Sequence, residues 1–153
     1  MPNSSPSTPS HPFQPPTPSN TKAPDLKALL ESTQHIAVVG LSDKPYRASF
    51  GVSQYMQARG YHIYPVNPGI TEVLNTKAYD SLADLPVQVD MVNVFRRSEE
   101  VPQIVEQAIA HGAKSLWLQL GVMHAEAEAK AEAAGLIVVR NRCLKVVHAQ
   151  LLR

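Results

Sequence analysis

Apolar residues fall in short unbroken runs along this chain, with polar residues gathered between them. His35 to Val39, Tyr61 to Val66, Asp90 to Phe95, Ser115 to Leu120 and Leu136 to Val139 each run about four to six residues. That is the length of a strand buried on both faces. The intervening stretches read as helices. Asp25 is placed to cap a short one, Leu26 to Glu31, and Ser49 to cap a second that ends at Gly60. Ser98-Glu99-Glu100 opens a third, with Pro102 tolerated in its first turn and Gly112 closing it. Met123 to Ala134 and Leu144 to Leu152 supply two more. Asn67-Pro68-Gly69 is a strong turn signal, and a short piece around Lys77 to Tyr79 and a turn at Ser81 to Pro86 precede the third strand. Strands separated by helices of roughly ten to fifteen residues imply right-handed crossovers. The expected fold is α/β and Rossmann-like: a mostly parallel sheet with helices on both faces.

This regularity starts only at Asp25. Residues 1–24 hold eight of the 13 prolines (Pro2, Pro6, Pro9, Pro12, Pro15, Pro16, Pro18 and Pro24), interleaved with Ser, Thr and Asn, and Phe13 is their only large apolar side chain. Such a segment buries too little surface to offset its ordering entropy and is expected to be a disordered tail. Residues 25–153 are expected to form one domain, and 44% apolar content gives them a core.

Composition narrows the partners. The net charge is +1, and the clustered positives are confined to Arg96-Arg97 and Arg140-Arg142. No basic stripe marks a nucleic-acid partner. One cysteine, Cys143, cannot form an internal disulfide. No segment has the charged start and apolar run of a signal peptide or the length of a membrane span, so the expectation is a cytoplasmic protein with no membrane partner.

Ligands of such sheets sit beyond the carboxyl ends of the strands, near the switch in strand order. The chain's polar oddities gather on that rim: Gly40, Ser42, Lys44, Arg47 and Ser49 after the first strand, Asn67-Pro68 after the second, Phe95-Arg96-Arg97 after the third, Gln119 to Gly121 after the fourth, and Arg140 to Cys143 after the fifth. A strand that feeds a helix through a glycine turn presents bare N–H groups to phosphate. The loop departs from the dinucleotide fingerprint, with Gly40-x-Ser42 in place of Gly-x-Gly. The second strand ends on Asn67-Pro68-Gly69 rather than on an acid for ribose hydroxyls. Lys44, Arg47, Arg96 and Arg97 carry more positive charge than one pyrophosphate needs. Two of them, Arg96 and Arg97, open a helix, where positive charge opposes the macrodipole and calls for an anion. Trp117 and Phe95, in apolar strands, read as core, and Gln119 suits turn capping nearly as well as ligand contact.

The segments GLSDKPYRASFGVSQYMQARGYHIYPVNP, DMVNVFRRSEEVPQIVEQAIAHGAKSLWLQLGV and NRCLKVVHAQL together resemble the small single-domain CoA-binding proteins, which are related to the nucleotide-binding domain of the succinyl-CoA ligase α-subunit. The likeness runs from residue 32 to 152. It implies that coenzyme A lies across the rim. Gly40, Ser42, Lys44, Arg47 and Ser49 would hold phosphates, Asn67-Pro68 and Phe95-Arg96 would flank the adenosine end, and Gln119 to Gly121 would lie toward pantetheine. The chain departs from the family pattern in having Gly69-Ile70 where a Lys commonly follows VNP, and Val147 where an acid precedes His148.

Catalytic machinery does not stand out. His35, His62, His111, His124 and His148 are scattered, without metal-ligand spacing and without a serine elbow. The ligases carry their phosphorylated histidine on a second domain, so the resemblance implies that acyl-CoA synthesis needs more than this chain. The expected function is a non-catalytic module that binds or senses CoA or acyl-CoA, with a protein partner or a second copy as possible company. The alternatives are an NAD(P)-type dinucleotide-binding protein and a subunit of a multi-chain acyl-CoA ligase. Cys143, flanked by Arg142 and Lys145, is a candidate redox thiol for the end of pantetheine. Its plainer role is a small residue packing the last helix.

Overall fold

The computed structural model describes residues 23–152. The expected tail therefore lies almost wholly outside the described residues. In chain order the elements are α1 (Leu26–Ser32), β1 (His35–Val39), α2 (Ala48–Ala58), β2 (His62–Val66), β3 (Glu72–Val73), β4 (Thr76–Lys77), a 3-10 turn (Leu82–Asp84), β5 (Met91–Val94), a second 3-10 turn (Ser98–Glu100), α3 (Val101–His111), β6 (Ser115–Leu118), α4 (Ala125–Ala133), β7 (Ile137–Val139) and α5 (Leu144–Leu151).

Five strands form one parallel sheet in the order β2-β1-β5-β6-β7. The doubly wound architecture expected from the alternating runs is the one observed. Period-2 alternation along each strand sends neighbours to opposite faces. Ala37, Val39, Val92, Val94, Leu116, Leu118 and Val138 pack beneath α3 and α4 with Val101, Val105, Ala108, Ala127 and Ala131. Ile36, Val38, Met91, Trp117 and Val139 face the other way, against Leu29, Leu30, Val52, Met56, Leu144 and Val147 of α1, α2 and α5. Pro65, which has no N–H to give a ladder, is accommodated in β2 because β2 is an edge strand.

Several element ends differ from their expected positions, each for a local reason. β5 begins one residue after Asp90, whose carboxylate instead accepts the N–H groups of Gln34 and His35 at 2.9 Å each and so ties the entry of β1 to that of β5. α4 begins at Ala125 because His124 Nδ1 accepts the Ala127 N–H at 3.2 Å, an imidazole in the capping position. Ser98 to Glu100 is a tight 3-10 turn ahead of α3, not part of it. Between β2 and β5 the chain adds a hairpin that the apolar pattern does not show: β3 and β4 pair antiparallel across Leu74 and Asn75, which have φ of 54° and 59°. Left-handed φ at both central positions is the primed hairpin geometry, and Leu occupies one of them without the usual Asn-Gly signal.

Candidate functional site

The order β2-β1-β5 contains the topological switch. From β1 the chain turns to one side to make β2, then crosses back to the other side to make β5. Backbone bonds stitch the carboxyl ends of the strands into one rim: Gly40 N–H to Val66 O at 2.9 Å, Phe95 N–H to Val39 O at 2.9 Å, Gln119 N–H to Val94 O at 3.3 Å, and Arg142 N–H to Leu118 O at 3.3 Å. Each loop thus leaves the sheet from a fixed point. A cleft of about 630 Å³ lies over the rim, walled by Gly40, Ser42, Arg47, Ala48, Ser49, Phe95, Arg96, Arg97, Glu100, Gln119, Leu120, Val122 and Cys143.

The first wall is the loop from Gly40 into α2. Gly40 has φ of +90°, and a Cβ there would meet the Phe95 carbonyl oxygen at 2.4 Å and Arg96 Nε at 3.2 Å. Only glycine lets the β1 and β5 ends approach this closely. Ser49 does not cap α2 as the sequence suggests. The helix starts one residue earlier, Arg47 holds the cap position with no side-chain bond, and the buried Ser49 hydroxyl accepts the Ser42 N–H at 3.0 Å. Ser42 Oγ in turn accepts the Lys44 N–H at 3.0 Å. The Phe50 and Gly51 N–H groups both return to Arg47 O, which leaves those of Ala48 and Ser49 without an acceptor among the described residues. An exposed helix start with free N–H donors suits an anion.

The second wall carries the charge. Arg96 is half-buried over Gly40 and reaches Glu100 at 4.0 Å, while Arg97 stands exposed between Glu99 at 3.6 Å and Glu100 at 3.5 Å. The anion that the macrodipole argument demands of this turn is therefore supplied in part by the chain itself. Arg47 has no such carboxylate among the described residues, and it is the cation of the cleft least engaged with protein. Such exposed pairs contribute little on their own and can be exchanged for a ligand phosphate.

Beyond β5 the cleft becomes apolar. Leu120, 62% exposed, and the buried Val122 both line it there. Gln119 is 5% exposed; its Oε1 accepts the Leu144 N–H at 3.5 Å, and its Nε2 has no acceptor among the described residues. Turn capping and an unspent donor thus coexist in one side chain. Cys143 closes this end at the start of α5, half-buried and without a capping bond.

Four of the sequence-derived candidates do not line the cleft. Lys44 is exposed beside Asp43 at 3.9 Å. Asn67 Nδ2 donates to Leu41 O at 2.9 Å and its Oδ1 accepts the Gly69 N–H at 2.8 Å, so its amide braces the Gly40 loop from behind. Pro68 is exposed next to it. Gly121 lies outside the wall, its N–H held by Asn141 Oδ1 at 2.8 Å. Phe95, read as core, follows β5 and divides itself between the second core cluster and the cleft wall. Leu120 lies within the Gln119 to Gly121 segment expected toward pantetheine, whereas Ala48, Glu100 and Val122 were not singled out in the sequence. Of these, only Glu100 carried a signal, as the residue one helical turn from Arg96.

The histidines are engaged elsewhere. His35 Nδ1 meets Tyr64 OH at 2.8 Å and its ring stacks on His62 at 4.9 Å, and His111 Nε2 accepts the Val89 N–H at 2.9 Å. His148 is buried, with Nδ1 3.0 Å from Tyr55 OH. Burial, helped by the charge of Arg59, holds its imidazole below the usual histidine pKa. This contact ties α5 to α2, whose N-terminal ends border the cleft through Cys143 and through Arg47 to Ser49. Among the described residues no three His, Cys, Asp or Glu side chains cluster as metal ligands, and no helix is long and apolar enough to cross a membrane.

Comparison with known proteins supplies the family and the fold. Residues 34–149 match the CoA binding domain family. The chain belongs to that family. It is 43% identical over 130 residues to the uncharacterized protein YneT of Bacillus subtilis, spanning 85% of this chain and 96% of that one. It is also 30% identical over 111 residues to the ADP-forming acetate–CoA ligase II of Archaeoglobus fulgidus, covering 71% of this chain but 16% of the ligase. Among solved structures, a hypothetical protein from Pyrococcus horikoshii OT3 superposes with a TM-score of 0.83 at 42% identity, over 84% of this chain and 91% of that one. This CoA-binding domain is thus related to a region of ADP-forming acetate–CoA ligases, and its fold is the parallel α/β sheet described above.

Proposed function

We propose that the protein binds coenzyme A, free or acylated, in the cleft over the β1-β5 switch, and acts as a binding or sensing module. The observation that carries this reading is the close approach of Gly40 to Phe95 and Arg96. It brings the free N–H groups of Ala48 and Ser49, the Arg47 side chain and the Arg96 guanidinium to one end of the cleft. Donors and cations gathered there suit the phosphates of the nucleotide end. The apolar surface of Leu120 and Val122 and the unspent Gln119 donor suit an amide-bearing aliphatic arm such as pantetheine. Lys44, Asn67, Pro68 and Gly121 act from behind or beside the cleft rather than in its wall, and Arg97 supplies charge at its mouth.

A dinucleotide reading is less well supported. The end of β2 offers Asn67, whose amide is already committed to Leu41 and Gly69, where a ribose-binding carboxylate would stand. The kinship with acetate–CoA ligase supports a third role, as the CoA-holding part of a multi-chain ligase. Titration calorimetry of the purified chain with CoA, dephospho-CoA and NAD tests the main reading. It requires CoA to bind most tightly and NAD not to bind measurably; equal affinities for NAD and CoA would overturn it.

A further inference from the structure

The loop that follows β6 is a tight turn, and a strained residue of the next loop holds it. Val122 N–H returns to Gln119 O at 2.9 Å, which puts Leu120 and Gly121 at the centre of the turn. Gly121 has φ of +83°, the left-handed value that the third residue of a type II turn requires. Types I and II differ in which way this central peptide faces, so a single bond to it can decide between them. Asn141 makes that bond: its Oδ1 accepts the Gly121 N–H at 2.8 Å. Across a trans peptide the Leu120 carbonyl then points away from Asn141.

Asn141 is itself left-handed, with φ of 55°, a conformation that costs energy for any residue but glycine and that Asn tolerates better than most. Such strain persists where the surroundings enforce it. Here β6 enforces it, since Trp117 Nε1 donates to Arg142 O at 2.9 Å and Leu118 O accepts the Arg142 N–H at 3.3 Å. Gln119 Oε1 joins the same two loops in the other direction, by accepting the Leu144 N–H at 3.5 Å. Two amide side chains therefore cross between the loops, one on each side of Leu120. An exposed leucine is ordinary by itself. This one lines the cleft at its apolar end, on a turn fixed at both shoulders.

We propose that Asn141 is a positioning residue for the ligand: by holding the Gly121 N–H it keeps the central peptide in one orientation, and so fixes Leu120 where the arm of CoA lies against it. This rests on the CoA reading above. Asn141 acts through Gly121 and Leu120 and touches no ligand atom. Without its bond the turn divides itself between two orientations, and the apparent affinity falls by the fraction that cannot bind.

Calorimetry of the full chain with CoA and with adenosine 3′,5′-bisphosphate, which has the nucleotide end but no arm, tests this. Asn141→Gly removes the bond and the strain together. It should weaken CoA roughly three- to tenfold, the worth of one hydrogen bond, and leave the bisphosphate affinity and the thermal midpoint nearly unchanged. The bond is exposed, so water replaces it in the ligand-free chain. Asn141→Asp keeps an acceptor and tolerates the left-handed backbone, and should restore CoA affinity. Leu120→Ala should weaken CoA as well, and the double variant Asn141→Gly/Leu120→Ala should lose less than the sum, because both act on one turn. Unchanged CoA affinity in Asn141→Gly or in Leu120→Ala overturns the positioning role and leaves the CoA reading intact. Equal losses for the two ligands, an Asp variant as weak as the glycine one, or additive losses in the double variant do the same. A midpoint that falls together with the affinity assigns Asn141 to the fold alone and also overturns it. A parent chain that binds neither ligand overturns both readings.

Discussion

Gly40 and Phe95 meet at the switch point of the sheet with no room for a side chain: a Cβ on Gly40 would stand 2.4 Å from the Phe95 carbonyl oxygen. That oxygen belongs to backbone held in the rim by the Phe95 N–H to Val39 O bond, so it cannot rotate away as a side chain would. The contact joins the two loops that wall the cationic end of the cleft.

Gly40→Ala is expected to destabilise the fold by at least about 2 kcal/mol, because a left-handed φ and a backbone clash add. Gly121→Ala shares the unfavourable φ but meets nothing within 4 Å, and should cost only about 1 to 2 kcal/mol. Urea unfolding of the two variants checks the order. Similar losses would show that the β1 and β5 ends can part.

Arg47→Ala should weaken CoA binding by about 1.5 to 3 kcal/mol if it makes a charge-assisted phosphate contact. Arg47 is exposed and caps α2 without a side-chain bond, so the unfolding midpoint of the ligand-free chain should stay nearly unchanged. Calorimetry and thermal unfolding of the same variant separate the two effects, and unchanged affinity removes Arg47 from the site.

CoA should raise the thermal midpoint by mass action, dephospho-CoA should raise it less, and NAD should leave it unmoved. The loss between the first two reports the extra phosphate, for which the rim cations are the available partners. Fluorescence-monitored melting at matched ligand concentrations reads all three.

Stability should fall on the acid side for two reasons of the same sign. His148 titrates below the ordinary histidine value because burial and then Arg59 disfavour its charged form. Its contribution is present above the unfolded histidine pKa, about 6.5, and is lost as pH falls from there toward the lowered folded value. Burial pushes the Asp90 carboxyl up, but the N–H groups of His35 and Gln34, with the His35 ring and Lys114, outweigh it and hold it below the ordinary value. Its share is present above the unfolded carboxylate pKa and is lost as pH falls through the lowered one. His148→Gln should flatten the upper part of this acid profile in urea titrations, and an unchanged profile would remove His148 as its source.

The architecture was legible from residue order because buried parallel strands must be apolar on both faces and their crossovers must be helical. Runs such as His35–Val39 and Met91–Val94, separated by capped helical stretches, leave few other arrangements. The rim was legible for the same reason: once the strands are parallel, every strand-to-helix loop emerges on one side. Gly40, Arg47, Arg96 and Gln119 were therefore placed together by topology before any distance was known. Which of the rim residues face the cleft depended on packing between elements far apart in the chain. Asn67 turns to Leu41, Gly121 is held by Asn141, and Ser49 serves Ser42 rather than its own helix, because each is the nearest partner for a backbone group that the sheet leaves unpaired. That Cys143 and Gln119 share one cleft wall was settled likewise by tertiary structure, whereas the pairing of Glu99 and Glu100 with Arg96 and Arg97 and the hairpin turned at Leu74 join near neighbours in sequence. A side chain's direction follows from what surrounds it in three dimensions, and residue order constrains that only where neighbours in space are also neighbours in sequence.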